Sequence, residues 1–135
     1  MIGQYAHGNE PSQHIAYMYN FVGESWKTQQ RVNQILRSFY NHTPEGLIGN
    51  EDCGQMSAWY IFSALGFYPF NPADQNYVIG SPMFDEAIIN LQNGKQFSIK
   101  ANNVSDKNSY IQSAKLNGKD LQRSFITHKE IMNGG

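Results

Sequence analysis

The periodicity of the apolar residues changes once along the chain, near residues 68–76. Before that region they recur with the 3.6-residue spacing of a helix, and after it with the two-residue spacing of a strand. The first half therefore predicts helices, over residues 11–23, 25–40 and 55–65. The second half predicts short strands, over residues 77–79, 87–91, 97–101, 110–116 and 125–132.

The predicted fold class is therefore α+β, with N-terminal helices followed by a C-terminal antiparallel β segment. We expect two regions, the helices in residues 1–70 and the strands in residues 71–135. The dipeptides Asn93-Gly94 and Asn117-Gly118 lie between apolar runs, which is typical of two-residue hairpin turns.

The third predicted helix, residues 55–65, is apolar nearly all round, so we expect it to be buried on several sides. The other predicted elements provide little cover for such a helix, and we therefore expect the chain to be a piece of a larger domain. Such a piece would expose apolar surface through which it could associate with itself. The first eleven residues lack the basic start and apolar core of a signal peptide.

Composition excludes several kinds of partner and site. Ten Lys and Arg against eleven Asp and Glu give a formal charge of -1, which excludes a basic surface for nucleic acid or for an anionic membrane. No apolar stretch approaches the roughly 20 residues of a membrane-spanning helix. The single cysteine, Cys53, excludes an intrachain disulfide and a cluster of thiolate metal ligands.

Two polar clusters, residues 4–11 and 49–55, each lie just before a predicted helix. Glycines on both sides of Asn50, Glu51 and Asp52 allow tight bends that would hold the carboxylates in fixed directions. Oxygen ligands from Asn, Asp and Glu are those that calcium binds, and a carboxylate directed at water can act as a general base. The alternative is that these residues only cap helices. The residues open to both interpretations are Asn9, Glu10, Asn50 and Asp52.

The remaining reactive residue types favour structural roles. His7 and His14 have no paired-histidine spacing, which favours a neutral, hydrogen-bonded histidine over a metal ligand. Cys53 follows a carboxylate that disfavours its thiolate, so a small packed residue is expected rather than a nucleophile. Trp59 lies within an apolar helix and is expected in the core rather than against a sugar.

Three segments carry a resemblance to a known family: HGNEPSQHIAYMYNFVGESWKTQ, GLIGNEDCGQMSAWYIFSALGFYPF and YVIGSPMFDEAIINLQNGKQFSI. Together they resemble the C-terminal part of the calcium-dependent exo-acting α-mannosidases of glycoside hydrolase family 92, over nearly the whole chain. The resemblance implies the last helices of a catalytic (α/α)6 barrel with a closing β segment. It also implies hydrolysis of terminal, often α-1,2-linked, mannose with inversion. It further implies a parent protein in the periplasm, at the cell surface or secreted, as in gut Bacteroides.

The resemblance also implies roles for residues in the matching motifs. Asp52 falls where the family places the carboxylate that activates water, with Asn50 beside it. Asn9 and Glu10 fall in the segment that holds Ca²⁺ and the innermost sugar, and His7 is a weaker candidate for contact with that sugar. The family's general acid lies upstream of HGNEP, so we expect the chain alone to be inactive.

Two alternatives to an enzyme fragment remain open from the sequence. The chain could be a carbohydrate-binding or accessory module whose β half holds the sugar while the helices act as scaffold. It could also be a purely structural segment in which both polar clusters only cap helices. In either case Asp52 would have no catalytic role.

Overall fold

A computed structural model describes residues 2–135 and confirms the predicted α+β class. Two 3-10 segments, Glu10–Ser12 and Ile15–Val22, precede the α-helices, which are α1 Ser25–Phe39, α2 Gln55–Leu65 and α3 His128–Asn133. The strands are β1 Phe67–Tyr68, β2 Asn76–Ile79, β3 Glu86–Asn90, β4 Gln96–Lys100, β5 Lys115–Leu116, β6 Lys119–Asp120 and β7 Phe125–Thr127. Among the described residues, none of the helices has the length and apolar character needed to cross a membrane.

The first predicted helix forms in the right place but with 3-10 rather than α geometry. Its main part, Ile15–Val22, ends at Gly23, whose φ of 78° is left-handed, a conformation that glycine adopts without steric cost. The segment is rich in aromatic and β-branched residues, which have low intrinsic propensity for the α-helix. It packs along α1, while the buried Tyr17 side chain donates its hydroxyl to Ser63 of α2 at 2.8 Å.

Helix α1 buries a stripe of apolar residues and also two polar side chains. Val32, Ile35 and Leu36 are buried. Gln29 and Asn33 are buried as well. The Gln29 side chain accepts a hydrogen bond from the backbone N–H of Ile111 at 2.9 Å, because the segment after β4 runs across this face.

Helix α2 packs against α1 and the Ile15–Val22 segment in the first of two apolar clusters. Trp59 is 1% exposed, which confirms its predicted place in the core. The expected burial on several sides is only partly found, since Ile61 on the same helix is 56% exposed. The first cluster thus leaves one side of α2 uncovered in this chain.

The C-terminal half forms three small antiparallel sheets, of which the largest has the strand order β1-β2-β7. Strand β1, which the sequence analysis missed, pairs Phe67 with Ile79 of β2. A second apolar cluster lies under these strands and includes Phe97 and Ile131. The predicted boundary at residue 70 stays a prediction, but β1 on one side of it pairs with β2 on the other.

The two Asn-Gly hairpins both form, although only one has the predicted turn. Asn117 and Gly118 both have positive φ, 50° and 80°, and connect β5 directly to β6 as a two-residue turn. In the β3–β4 hairpin only Gly94 is left-handed, and the Leu91 N–H bonds to the Lys95 carbonyl around a longer loop. The longer loop sets the β3–β4 register, which pairs Ile88 with Ser98.

Two of the strand predictions are wrong in extent. The strand predicted over 110–116 is reduced to β5, because the Ile111 N–H bonds to Gln29 instead of to a neighbouring strand. The strand predicted over 125–132 ends at Thr127 and becomes α3. Thr127 and Glu130 form a capping box, in which each side chain accepts from the other residue's backbone N–H.

Candidate functional site

The two polar clusters of the sequence meet in the structure through two glycines. A Cβ built on Gly49 would lie 2.8 Å from the Cα of Gly8 and closer still to the Gly8 carbonyl oxygen. Such an approach is possible only where neither residue has a side chain. The fold therefore places the HGNEP segment directly against the start of the GNEDCG loop.

In the first of these segments Asn9 caps the short helical turn Glu10–Ser12. Its side-chain oxygen accepts from the Glu10 N–H at 3.1 Å, so the capping role left open for Asn9 is real. The Ser12 hydroxyl donates to the backbone carbonyls of Asn9, at 2.9 Å, and of Ala6. Glu10 itself is exposed, two residues after Gly8 in the segment that meets Gly49.

In the second segment Glu51, not Asp52, caps the following helix. The Glu51 carboxylate accepts from the Ser57 N–H at 3.0 Å, and the N-cap position of α2 is Gly54, which has no side chain to offer. Asp52 and Asn50 are exposed. Glu51 therefore stabilises the start of α2, while the neighbouring Asp52 remains at the surface.

Asp52 also has an unusual backbone conformation. Its φ is 48°, that of Cys53 is 59° and that of Gly54 is 94°, so three consecutive residues are left-handed. Left-handed backbone disfavours residues with a Cβ, and such conformations cluster at functional sites where surrounding contacts hold them. The loop between Gly49 and α2 is therefore held in one specific shape, with Asp52 at its turn.

His7 lies just before the contact between the glycines and is 0% exposed. Its Nδ1 hydrogen-bonds to the Tyr5 hydroxyl at 2.8 Å and its Nε2 to the Tyr40 hydroxyl at 2.6 Å. The ring also packs edge-on against Trp59, with 4.2 Å between the ring centroids. Both ring nitrogens are used, so His7 has none left here for the sugar contact that the resemblance implies. The neutral, hydrogen-bonded histidine favoured by the residues alone describes this arrangement.

Burial lowers the pKa of His7 to about 4, since the charged imidazolium would lose its water. Burial likewise raises the pKa of the Tyr5 and Tyr40 hydroxyls, which therefore stay protonated. The three side chains form a neutral cluster at ordinary pH. Its place next to Gly8 makes it a support for the HGNEP segment.

The depressed pKa of His7 predicts a pH dependence of folding stability. The unfolded histidine, with a pKa near 6.5, binds a proton on acidification before the folded one does. His7 therefore leaves the free energy of unfolding unchanged above about pH 6.5 and lowers it as the pH drops toward 4. The total loss at pH 4 is about 3 kcal/mol, because one pKa unit corresponds to about 1.4 kcal/mol. Urea unfolding at a series of pH values measures this slope. His7→Leu should remove it, whereas the exposed-site control His42→Gln should keep it; an unchanged slope in His7→Leu would contradict the assignment.

A further positioning residue was missed by the sequence analysis. Gln13 is buried, its carbonyl accepts from the Trp59 indole N–H at 3.0 Å, and its side-chain oxygen accepts from Gln55 at 3.2 Å. It thus joins the HGNEP segment to the first turns of α2, just after the GNEDCG loop. In the sequence, Gln13 is only a glutamine two residues before an apolar run, and this pattern alone does not indicate a positioning role.

The predicted calcium ligands do not form a complete metal site in this chain. Within residues 2–135 no three side chains of His, Cys, Asp or Glu gather closely enough to hold a metal ion. The Asn9 amide oxygen is used in capping, and calcium takes six to eight oxygen ligands. Asn9 and Glu10 can therefore supply only part of a coordination shell.

Comparison with known proteins places this arrangement in a family. The catalytic-domain model of glycosyl hydrolase family 92 matches residues 1–135. The chain is 46% identical to a family GH92 α-mannosidase of Bacteroides thetaiotaomicron solved with mannoimidazole, at a TM-score of 0.95 over 98% of this chain and 18% of that one. A GH92 inverting mannosidase of the same organism gives 45% identity and a TM-score of 0.92 over 99% of this chain and 18% of that one.

An uncharacterized secreted glycosidase of Arthroderma benhamiae is 35% identical over 131 residues, which are 95% of this chain and 17% of that protein. The chain therefore belongs to glycosyl hydrolase family 92. It spans less than a fifth of the length of these relatives. We refer below to a protein of their length that contains this chain as the family-length protein.

Proposed function

We propose that the family-length protein is a glycoside hydrolase that removes terminal α-linked mannose with inversion, and that Asp52 is its general base. The observation that carries this proposal is the contact between Gly8 and Gly49, which joins the two motifs while Asp52 stays exposed on a constrained loop. The relatives described as a GH92 α-mannosidase and a GH92 inverting mannosidase support the substrate and the stereochemistry.

The proposed reaction is a single displacement. Asp52 accepts a proton from a water molecule as the oxygen of that water bonds to the anomeric carbon. The bond to the leaving oxygen breaks on the opposite face of the ring, and a carboxylic acid from outside these 135 residues protonates that oxygen. Inverting glycosidases hold their two carboxyl groups about 6.5–9.5 Å apart to leave room for the water.

The other residues of the two motifs would position the substrate. Asn50 lies in the same loop as Asp52, and Glu10 is the exposed acid of the facing segment. His7 would act through the HGNEP backbone, because both of its nitrogens bond to tyrosines. A mannose-containing glycan outside the cell is the proposed substrate, in keeping with the secreted glycosidase among the relatives.

The experiment is hydrolysis of an aryl α-mannoside and of α-1,2-, α-1,3- and α-1,6-mannobiose by the family-length protein, followed by NMR. We expect β-mannose as the first product and fastest turnover of the α-1,2 linkage. α-Mannose as the first product would contradict the single displacement. The 135-residue chain should give no turnover above blank, and turnover by the chain alone would contradict an acid supplied from elsewhere.

We also propose that the family-length protein uses Ca²⁺, with Asn9 and Glu10 contributing a minority of the ligands. Glu10→Gln should raise both the calcium concentration required for half-maximal activity and the KM, because one charged oxygen donor is lost. Calcium titration of activity after chelation measures both. Glu45→Gln, in an exposed loop outside both motifs, is the control. A calcium titration unaltered by Glu10→Gln would exclude Glu10 as a ligand.

A further inference from the structure

An open groove lies at the opposite end of α1 from the candidate site. It has a volume of about 370 Å³ and lies between the first turn of α1 and the segment 110–112. Helices rise 1.5 Å per residue, so about 20 Å separate it from the Tyr40 end of the helix, where the His7 cluster lies. The lining residues come from α1 and from the segment 110–112.

The floor and rim of the groove combine two accessible aromatic rings with neutral polar groups. Trp26 is 48% exposed and Tyr110 44% exposed, and their rings meet at 61° with 6.4 Å between the centroids. The pair therefore forms an angled corner instead of a closed stack. Phe21 and Phe84 are exposed as well, but Trp26 and Tyr110 are the exposed rings that line this groove together.

The groove is also held in shape before any ligand arrives. The side-chain oxygen of Gln29 accepts from the Ile111 N–H at 2.9 Å, which fixes the segment that carries Tyr110. The Lys27 ammonium lies 5.3 Å from the centre of the Trp26 ring. The same ammonium forms a salt bridge with the Glu24 carboxylate at 2.6 Å. The aromatic corner is thus braced from both sides, and the charge of Lys27 is balanced by a neighbour.

The chemistry of the lining indicates one kind of ligand. Of residues 2–135, those that line the groove are uncharged, and its polar members include Ser25, Gln29 and Gln112. Since the side-chain oxygen of Gln29 accepts from Ile111, its NH₂ group is the donor that Gln29 offers to a ligand, and Ser25 adds a hydroxyl to the lining. Aromatic faces pack on the C–H face of a pyranose, while hydroxyls and amides bond to its hydroxyls. The volume lies at the low end of the range for small-molecule sites.

We propose that Trp26 and Tyr110 form a secondary binding site for a neutral hexopyranose unit of a glycan, separate from the candidate active site. This inference rests on the proposed function only for the identity of the sugar, mannose. Such a site would hold a glycan chain on the protein without taking part in bond cleavage. An open groove of this size predicts millimolar affinity for a single sugar.

The test is an NMR titration of the 135-residue chain with methyl α-mannoside and with α-1,2-mannobiose. The chain has two indole N–H groups, and the Trp59 indole is buried and bonded to Gln13, so it serves as an internal control. We expect the Trp26 signal to shift with saturation and the Trp59 signal to stay. Tyr110→Ala should weaken binding at least tenfold, and Ile88→Ala, at an exposed strand position, should not. Lack of any Trp26 shift would overturn the proposal.

A second measurement uses the family-length protein and separates this inference from the proposed function. Trp26→Ala should reduce retardation in a mannan-containing gel while leaving kcat/KM for an aryl α-mannoside unchanged. Asp52→Asn should do the reverse. Unchanged retardation in Trp26→Ala would overturn the secondary site and leave the role of Asp52 intact, whereas normal turnover in Asp52→Asn would do the opposite.

Discussion

Asp52→Asn in the family-length protein is expected to lower kcat by about 100-fold or more with little change in KM. An amide of the same size keeps the loop shape but cannot accept the proton of the attacking water, and loss of a general base costs about 10²–10⁴ in rate. The single-turnover rate on an aryl α-mannoside, together with circular dichroism to verify the fold, measures this effect.

Two matched variants make the result specific to Asp52. Asp120→Asn changes an exposed acid in the β5–β6 hairpin and should leave kcat unaltered. Glu51→Gln changes the neighbouring acid, which accepts from the Ser57 N–H, and an amide oxygen can still accept that bond. If Glu51→Gln lost turnover and Asp52→Asn kept it, the assignment of the general base would have to move to Glu51.

Gly49→Ala is expected to lose about 3 kcal/mol in stability and most of the activity. The new methyl group would lie against the Gly8 backbone, which cannot move aside as a flexible side chain can. The φ of 76° adds strain of about 1 kcal/mol for a residue with a Cβ. Thermal unfolding and turnover in the family-length protein measure the two effects.

Gly94→Ala separates backbone strain from the contact between the loops. Gly94 has nearly the same φ, 80°, but a Cβ there would meet nothing within 4 Å. It should therefore lose only the strain of about 1 kcal/mol and keep normal turnover. Equal stability losses in Gly49→Ala and Gly94→Ala would show that the approach of the two loops contributes nothing.

The bounds of helices α1 and α2 could be predicted nearly to the residue, because the apolar residues that form the helical pattern are also those whose burial stabilises the helices. Predictions failed where one specific contact overrode the local pattern. Thr127 and Glu130 cap a helix where alternation favoured a strand, and Gln29 takes the N–H of Ile111 that a strand would have paired. Both contacts join groups whose proximity only the folded chain creates, although the Thr-x-x-Glu spacing of the first could have been noticed.

In the candidate site, too, the local sequence pattern was informative, whereas contacts between residues distant in sequence could not be predicted. The sequence indicated both motifs, since glycines around acids mark a bent, polar loop. It gave no sign that Glu51 rather than Asp52 would cap α2, because either carboxylate is close enough to the helix start along the chain. The burial of His7 between Tyr5 and Tyr40 also depends on residues far apart in sequence.

The meeting of Gly8 and Gly49 has a consequence for how this segment can diverge. Two loops that touch through their main chains cannot change length independently, since an insertion in either would push the other aside. Descendants of this sequence should therefore accumulate insertions and deletions elsewhere, for example at the open β3–β4 hairpin. The two motifs are expected to be inherited as one unit despite their separation along the chain.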